Sequence, residues 1–176
     1  MNQSAFTLLA ATFKNTGSIG VLIGGYAVNA HKVTRHTVDI DFLVTKETFN
    51  KIFPELELQG YSIVNEHEVF IQIAGMGLRD IDFMFSDEST IRKIFDTGNR
   101  IRIAGEFFVT PNLENLIALK LHSIKWNPHR ELVDMPDIVL LMQANGMDID
   151  NPGIRSVFEK YGTPELLEKI KTYIHR

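Results

Sequence analysis

One pattern occurs twice in this sequence: two aspartates, separated by one isoleucine, open a run of apolar residues. The copies are DIDFLV at 39–44 and DIDFMF at 80–85. Short apolar runs predict buried strands, and residues i and i+2 of a strand point to the same face. Asp39 and Asp41 would therefore project two carboxylates side by side, although ionised aspartates repel each other and are costly to desolvate. A hard divalent cation such as Mg²⁺ would make the pair tolerable.

The second copy extends this interpretation. If its strand lies beside the first, Asp82 adds a third carboxylate to the same cluster, and two-metal phosphoryl-transfer enzymes share carboxylates in this way. Asp80 is a secondary candidate, because Asp82, like Asp41, directly precedes the unbroken apolar stretch. A single D-x-D is a weak indication of a site. Two of them, with a Gly-Gly step upstream, form a more specific pattern.

The Gly-Gly step lies between the apolar run SIGVLI and the segment YAVNAHK, which predict a strand and a short helix. Gly24 and Gly25 would let backbone N–H groups approach an anion closely. A tight turn needs the same residues, so that alternative stays open. Arg35 in isolation is typical of a solvated loop charge. Near a metal–triphosphate site it would clamp a phosphate or hold the loop on a carboxylate.

Charged residues also lie among the apolar residues of the C-terminal third. Lys120 falls within NLIALKLHS, where a lysine either extends to solvent or contacts an anion. Arg130, Asp134 and Asp137 come before or at the start of the next apolar helix and are secondary site candidates. Without a site role, Asp134 is predicted as an N-cap before Pro136, and Asp137 as a first-turn charge that complements the helix dipole.

The apolar periodicity predicts an α/β (α+β) fold: a mixed β-sheet flanked by helices over residues 1–110, then a helical section over 111–176 that packs on the core as one compact unit. Predicted strands are 18–23, 39–44, 61–66, 69–75 and 79–85, with a hairpin over 100–110. Predicted helices are 3–14, 26–32, 45–56, 87–98, 111–126, 135–146, 151–162 and 163–176. Thr45 is predicted as an N-cap, and Pro54 as a residue that perturbs the end of its helix.

Several classes of function are disfavoured by composition. The 176 residues include no cysteine, so thiolate metal sites and disulfides are excluded, and the six histidines form no H-x-x-x-H pair suited to zinc. A net charge of −4 argues against a protein coated for nucleic-acid binding, although a local basic patch is compatible with it. The N-terminus lacks the features of a signal peptide, and no apolar run suffices for a membrane span. The expectation is a soluble cytoplasmic protein without membrane contact.

These motifs, read together, match a known family. The stretch IGGYAVNAHKVTRHTVDIDFLV resembles the core motif of the DNA polymerase β-like nucleotidyltransferase superfamily, in which a Gly-Gly or Gly-Ser turn, a short helix and a D-x-D follow one another. The R-x-T-x-D-x-D spelling at 35–41, the lead-in TPNLENLIALK at 110–120 and the later DMPDI resemble AbiEii-type toxins and related small stand-alone nucleotidyltransferases. The resemblance covers roughly Ile19 to Leu141.

The resemblance implies a nucleotidyltransferase-type sheet and the transfer of a nucleoside monophosphate from an NTP such as ATP to a hydroxyl acceptor, assisted by Mg²⁺ or Mn²⁺. Asp39, Asp41 and Asp82 would bind the metal. The two glycines would cradle the triphosphate, and Lys120 and Arg35 would contact phosphate or nucleotide. The acceptor would be a tRNA end, a protein side chain or a small molecule such as an aminoglycoside. A toxin-like protein would also have an antitoxin partner.

Two other classes of function remain open. A catalytically silent nucleotide-binding or regulatory protein would keep the same fold, but the presence of all three candidate carboxylates favours activity. A metal-dependent nuclease or phosphatase would also use paired carboxylates. Such enzymes usually add histidine ligands or a nearby lysine, and the Gly-Gly step would then have no purpose.

Overall fold

A computed structural model describes residues 4–174. This part of the chain divides into two compact units. One contains residues up to 27 together with 36–111, and the other contains residues 28–35 together with the chain from 112 onward. The predicted boundary lies at 110/111. The inclusion of 28–35 with the C-terminal helices has no signal in the sequence.

The first unit is built on a seven-stranded mixed sheet, counted over the described residues, which confirms the predicted fold class. The strands are β1 (Val21–Leu22), β2 (Ile40–Val44), β3 (Ser62–Glu66), β4 (Phe70–Ala74), β5 (Ile81–Phe85), β6 (Asn99–Ile103) and β7 (Glu106–Thr110). Their order in the sheet is β3-β4-β5-β2-β1-β7-β6. Two neighbouring pairs, β2 with β5 and β1 with β7, are parallel, and the others are antiparallel. The strands β5, β2 and β1 therefore lie in the middle of the sheet, with a neighbouring strand on each side.

Helices α1 (Ala5–Asn15) and α3 (Lys46–Glu57) cover one face of this sheet, and the same unit contains α4 (Glu88–Asp96). Helix α2 (Gly24–Ala30) is divided between the two units after Ala27. The core under α1 and α3 is formed by alternating strand residues and the apolar faces of both helices; it includes Phe6, Leu9, Phe42, Phe49, Ile52 and Phe83. Alternate strand residues therefore point to the opposite face, where polar side chains are tolerated.

Two expectations about the first helices are decided by the structure. Thr45 caps α3, because its hydroxyl oxygen accepts a 2.9 Å bond from the N–H of Thr48, as predicted. The prediction that Pro54 perturbs the end of this helix is wrong, since α3 continues to Glu57. Buried Leu56 follows the proline, and its packing outweighs the single backbone hydrogen bond that proline removes. The predicted start of the first helix at Gln3 lies outside the described residues.

The second unit is helical beyond residue 111. It contains α5 (Leu113–Trp126), a 3₁₀ turn (Pro128–Arg130), α6 (Glu131–Asn145), α7 (Pro152–Tyr161) and α8 (Pro164–Ile174). Asn112 caps α5, and Gly146 ends α6 with a φ of +61°, which explains why that helix stops at a glycine. The predicted continuation of α8 through His175 and Arg176 lies outside the described residues. Within residues 4–174, no helix combines the length and apolar character needed to cross a membrane.

Candidate functional site

The parallel pairing of β2 and β5 brings two predicted site residues together. Asp41 and Asp82 are register partners in this ladder, so their side chains leave the same face of the sheet from adjacent strands. Adjacent strands are about 4.8 Å apart, which places the two carboxylates side by side. The sequence-based condition for a shared carboxylate site, that the second D-x-D strand lies beside the first, is met.

The apolar neighbours of each aspartate explain this orientation. Ile40 and Phe42 flank Asp41 and have no exposed surface, and the residues flanking Asp82 are equally buried. Because these side chains occupy the core face, the aspartate between them must point to the other face. Asp41 and Asp82 are both half-buried there, and the Oδ1 atom of Asp82 is buried. The alternation of the motif thus fixes where the carboxylates lie.

The other aspartate of each motif lies just ahead of its strand, so both strands begin later than the sequence predicts. The β2–β5 ladder begins at Ile40 and Ile81, and Asp39 precedes it as an exposed residue. Asp39 and Asp41 therefore do not form an i, i+2 pair within one strand. Asp80 is half-buried, and its carbonyl oxygen accepts a 3.1 Å bond from the N–H of Ile40. The rungs of the ladder pair Asp41 with Asp82.

The Gly-Gly step is packed directly against this carboxylate. Gly24 has a φ of +62°, and a Cβ built on it would overlap Oδ2 of Asp41 and lie 2.5 Å from its Cγ. A Cβ on Gly25 would lie 2.5 Å from Oγ1 of Thr37. Both glycines belong to the first turn of α2, whereas the sequence predicts them ahead of the helix. Glycine is required here because only a residue without Cβ allows the backbone this close to Asp41.

Gln72 is a candidate that sequence reasoning missed. It is the register partner of Asp82 on β4, so Asp41, Asp82 and Gln72 form one row across three neighbouring strands. Its half-buried amide lies between the buried residues Ile71 and Ile73. The signal in the sequence is a single glutamine that interrupts the apolar run VFIQIAG. That signal has meaning only once the strand order is known.

Metal binding can be judged from the donors on this face. In the described part of the chain, no group of three or more histidine, aspartate or glutamate side chains is arranged to hold a metal ion. Mg²⁺, however, commonly binds one or two protein carboxylates and completes its shell with water and substrate phosphate oxygens. The two neighbouring carboxylates of Asp41 and Asp82 have the chemistry for that kind of site, with the remaining ligands supplied by substrate and solvent.

Lys120 and its two aspartates form a buried ion network in the second unit. Its Nζ donates to Oδ1 of Asp134 at 2.9 Å and to Oδ2 of Asp137 at 2.7 Å. All three residues are at most 5% exposed, so the interpretation that Lys120 extends to solvent is wrong. Its predicted contact with phosphate stays a prediction. Asp134 is not the N-cap of α6, because this helix begins at Glu131, and its carboxylate binds lysine.

Two arginines complete this network. Arg130 donates from Nε to Oδ2 of Asp134 at 3.0 Å, and Arg35 donates from a terminal guanidinium nitrogen to Oδ2 of Asp137 at 3.0 Å. Burial alone would raise the pKa of Asp134. The attraction of Lys120, together with hydrogen bonds and charge from Arg130, outweighs burial and holds the pKa of this carboxyl below its ordinary value of 3.8. Asp134 is therefore ionised at neutral pH.

Solved structures with the same fold are nucleotidyltransferases. The chain superposes on ANT(2'')-Ia in complex with adenylyl-2''-tobramycin with a TM-score of 0.60 and 15% identity, covering 94% of this chain and 93% of that one. It superposes on the lincomycin-bound lincosamide antibiotic adenylyltransferase LnuA with a TM-score of 0.56 and 16% identity, covering 81% and 99%. It superposes on an antigenic nucleotidyltransferase-like protein from Paracoccidioides brasiliensis with a TM-score of 0.52 and 16% identity, covering 96% of this chain and 94% of that one.

No protein-family profile matches the chain, and no curated protein sequence matches it. At 15–16% identity the structural likeness defines the fold. The sheet and its flanking helices are those of the nucleotidyltransferase fold.

Proposed function

We propose that this chain is a Mg²⁺-dependent nucleotidyltransferase, which moves a nucleoside monophosphate from an NTP to a hydroxyl acceptor. The observation that carries the proposal is the in-register pairing of Asp41 and Asp82 on parallel neighbouring strands of a nucleotidyltransferase fold. Two carboxylates held side by side repel each other, so the arrangement costs stability unless a cation compensates it.

Asp41 and Asp82 would hold the Mg²⁺, and Asp39, exposed just ahead of β2, is the outer candidate. Mn²⁺, which also prefers oxygen ligands, would suit the same residues. When bound, the cation would neutralise the carboxylate pair and the charge that develops on the transferred phosphoryl group. The side-chain amide of Gln72, beside Asp82, would then lie at the edge of the substrate.

The chemical step follows from substrates of this class. The acceptor hydroxyl oxygen forms a bond to the α-phosphorus, the bond from that phosphorus to the bridging oxygen breaks, and pyrophosphate leaves. The hydroxyl must lose its proton as the new bond forms, and the carboxylates of Asp41 and Asp82 are the bases that this face offers. Gly24 and Gly25 hold the start of α2 against Asp41 and Thr37, and their backbone N–H groups are the proposed contacts of the triphosphate.

Arg35 and Lys120 are the proposed nucleotide contacts outside the sheet. The side chain of Arg35 is 32% exposed and uses one terminal nitrogen on Asp137, so its other N–H donors can meet a phosphate. Lys120 could bind nucleotide only by giving up Asp134 or Asp137. NTP affinity of Lys120→Ala, measured where thermal melting shows the variant to be folded, tests this role: an unchanged affinity would restrict Lys120 to the ion network.

The acceptor is the open part of the proposal. The ANT(2'')-Ia and LnuA structures, which hold an adenylylated aminoglycoside and lincomycin, support a small hydroxylated molecule. The resemblance of the R-x-T-x-D-x-D motif to AbiEii-type toxins supports a tRNA end or a protein, with an antitoxin as partner. Either activity would belong to the cytoplasm, where NTPs and Mg²⁺ are available.

Calorimetry with each common NTP and Mg²⁺ tests the proposal before the acceptor is known. We expect wild type to bind at least one NTP in a metal-dependent manner, and the Asp39→Ala/Asp41→Ala variant to lose this binding. Asp41→Asn, assayed with labelled nucleotide, should lower transfer by roughly two to three orders of magnitude, because a charge that acts on the reacting phosphate is lost. Equal binding by both proteins, or full activity of Asp41→Asn, would overturn the metal assignment. Absence of binding to wild type would favour a silent scaffold.

A further inference from the structure

The β6–β7 hairpin presents two different faces. Ile101 and Ile103 of β6 pack against the core of the first unit, together with Phe108 of β7. The alternate residues of both strands point the other way: Arg100 is the register partner of Val109, and Arg102 is that of Phe107. Since β6 is the last strand of the sheet, this outer face lies along an open edge. The edge is basic and aromatic.

Phe107 lies between the two arginines. Their guanidinium carbons are 4.8 Å (Arg100) and 5.8 Å (Arg102) from the ring centroid, within the range of a cation–π contact. The ring is nevertheless 59% exposed. Arg102 is fixed by a 3.1 Å bond from its Nε to the carbonyl oxygen of Gly105 in the hairpin turn. A large exposed ring with two cations beside it can bind a planar, anionic ligand.

The positive charge of this face is not compensated locally. Among residues 4–174, no carboxylate oxygen lies within 4.0 Å of Arg100, Arg102 or the neighbouring Lys14. Among the other exposed cations of the same unit, Lys51 binds Glu47 at 2.7 Å and Arg92 binds Glu88 at 3.2 Å, whereas Lys46, Arg79 and Lys93 form no ion pair with residues 4–174. In a chain of net charge −4, three uncompensated cations at one place indicate an anionic partner.

A groove of about 400 Å³ opens beside the platform. The residues that line it include Phe13, Phe95, Phe107 and Phe108, and also Lys14, Arg100 and Ser18. The volume lies within the range of small-molecule sites. Its aromatic walls suit a flat base, its cations suit phosphate, and the Ser18 hydroxyl can exchange hydrogen bonds with a ribose 2′-hydroxyl.

We infer that this face, Lys14, Arg100, Arg102 and Phe107 with the adjoining groove, binds a single-stranded RNA segment. One base stacks on Phe107 or enters the groove, and the flanking phosphates meet the arginines, the combination used by single-strand-binding surfaces. Duplex RNA does not offer unstacked bases to the ring. An acidic peptide satisfies the charges but not the aromatic groove. The inference rests on the hairpin and the adjoining groove and does not require that the proposed transfer occurs.

Fluorescence anisotropy with a labelled oligouridylate of about twelve nucleotides tests the inference, since single-strand sites commonly span 4–16 nucleotides. No NTP is added, so the result is independent of transfer activity. We expect Arg100→Ala/Arg102→Ala to weaken binding at least about 10-fold and to reduce the salt slope by about 1.4, two contacts at about 0.7 each. The control Lys51→Ala/Arg92→Ala removes the same charge from paired sites and should bind as wild type does.

A second variant isolates stacking from charge. Phe107→Leu keeps an apolar side chain and both arginines but removes the aromatic face, and we expect binding to weaken about 5-fold or more. All substituted side chains are exposed, so thermal melting should show folded proteins. The inference is overturned if wild type does not bind the oligouridylate, or if the control variant loses as much affinity as the arginine variant. Equal affinity for a duplex, for an oligoglutamate or for oligothymidylate would also overturn it.

Discussion

Two pairs of aspartates in this protein have opposite surroundings. Asp134 and Asp137 are at most 4% exposed and share the ammonium group of Lys120, so unlike charges meet in a buried place. Asp41 and Asp82 are half-buried and lie beside each other, so like charges meet on the face of a sheet. The first arrangement holds helices together. The second brings like charges together and has the oxygen donors to which a divalent cation binds.

The comparison shows that the residue type alone does not identify a site. All four residues precede or open apolar runs in the sequence, and all four were candidates for the site. Their neighbours separate them: a lysine and two arginines in one case, another carboxylate and a glycine backbone in the other. We therefore expect substitutions in the two pairs to change stability in opposite directions: loss of a charge from the Lys120 network should destabilise the fold, and loss of a charge from the Asp41–Asp82 pair should not.

The largest effect is expected at Lys120. Lys120→Met removes the shared cation and leaves two buried carboxylates, so the free energy of unfolding should fall by about 3 kcal/mol. The lower end of the range for broken buried pairs applies, because Arg130 and Arg35 still contact one carboxylate each. Urea denaturation measures the change. Lys169→Met is the matched control, since its bond to Glu131 is solvent-exposed and should contribute less than about 1 kcal/mol. Equal losses in both variants would remove the distinction between the two regions.

The pH dependence of stability sharpens the same comparison. The folded-state pKa of Asp134 lies below its ordinary value of 3.8, so its ionised form stabilises the fold above that pH. This contribution is lost as the pH falls through the lowered pKa. When the pH is lowered below about 4, we expect the urea concentration at the unfolding midpoint of wild type to decrease. The decrease should be smaller in Asp134→Asn. Parallel curves for the two proteins would contradict the assignment.

A smaller effect is expected where the backbone meets the carboxylate pair. Gly24→Ala places a side chain at a φ of +62° and into the carboxylate of Asp41, and should cost about 1–3 kcal/mol. Gly17→Ala is a close control: its φ is +60°, but nothing lies within 4 Å of the added Cβ, so only backbone strain of about 1 kcal/mol applies. The difference between the two melting temperatures measures the contact with Asp41. Identical shifts would mean that Asp41 moves aside without cost.

The sequence predicted that Asp82 would lie beside Asp41 if their strands were neighbours, because the signal was local and repeated. In both DIDF copies the apolar residues alternate with the second aspartate in the same way, so the two aspartates are predicted on the polar face of their strands. Only the structure shows that the two strands are neighbours. Thr45 was predictable for the same reason, since a cap and its helix are neighbours in sequence. The strand limits were less predictable. The ladder starts at Ile40, and Asp39 is left outside it.

Features that depend on distant partners could not be predicted. Lys120 is buried because Asp134 and Asp137, 14 and 17 residues further along, reach its ammonium group from another helix. Arg35 contacts Asp137 across 102 residues of sequence. Gln72 joins the carboxylate row only through the strand order. Apolar periodicity indicates which face of a helix or strand is buried. It does not identify the charged residue on the neighbouring element that contacts this face.

The most direct test of the central claim compares thermal unfolding of wild type and Asp82→Asn, each without divalent cations and in excess Mg²⁺. Without Mg²⁺, we expect Asp82→Asn to be at least as stable as wild type, because a like charge has been removed. Mg²⁺ at about 100 times its Kd would stabilise wild type by about 2.7 kcal/mol, and Asp82→Asn should gain much less. An equal gain in both proteins, or a variant that is less stable without Mg²⁺, would contradict the claim that Asp41 and Asp82 form a cation site.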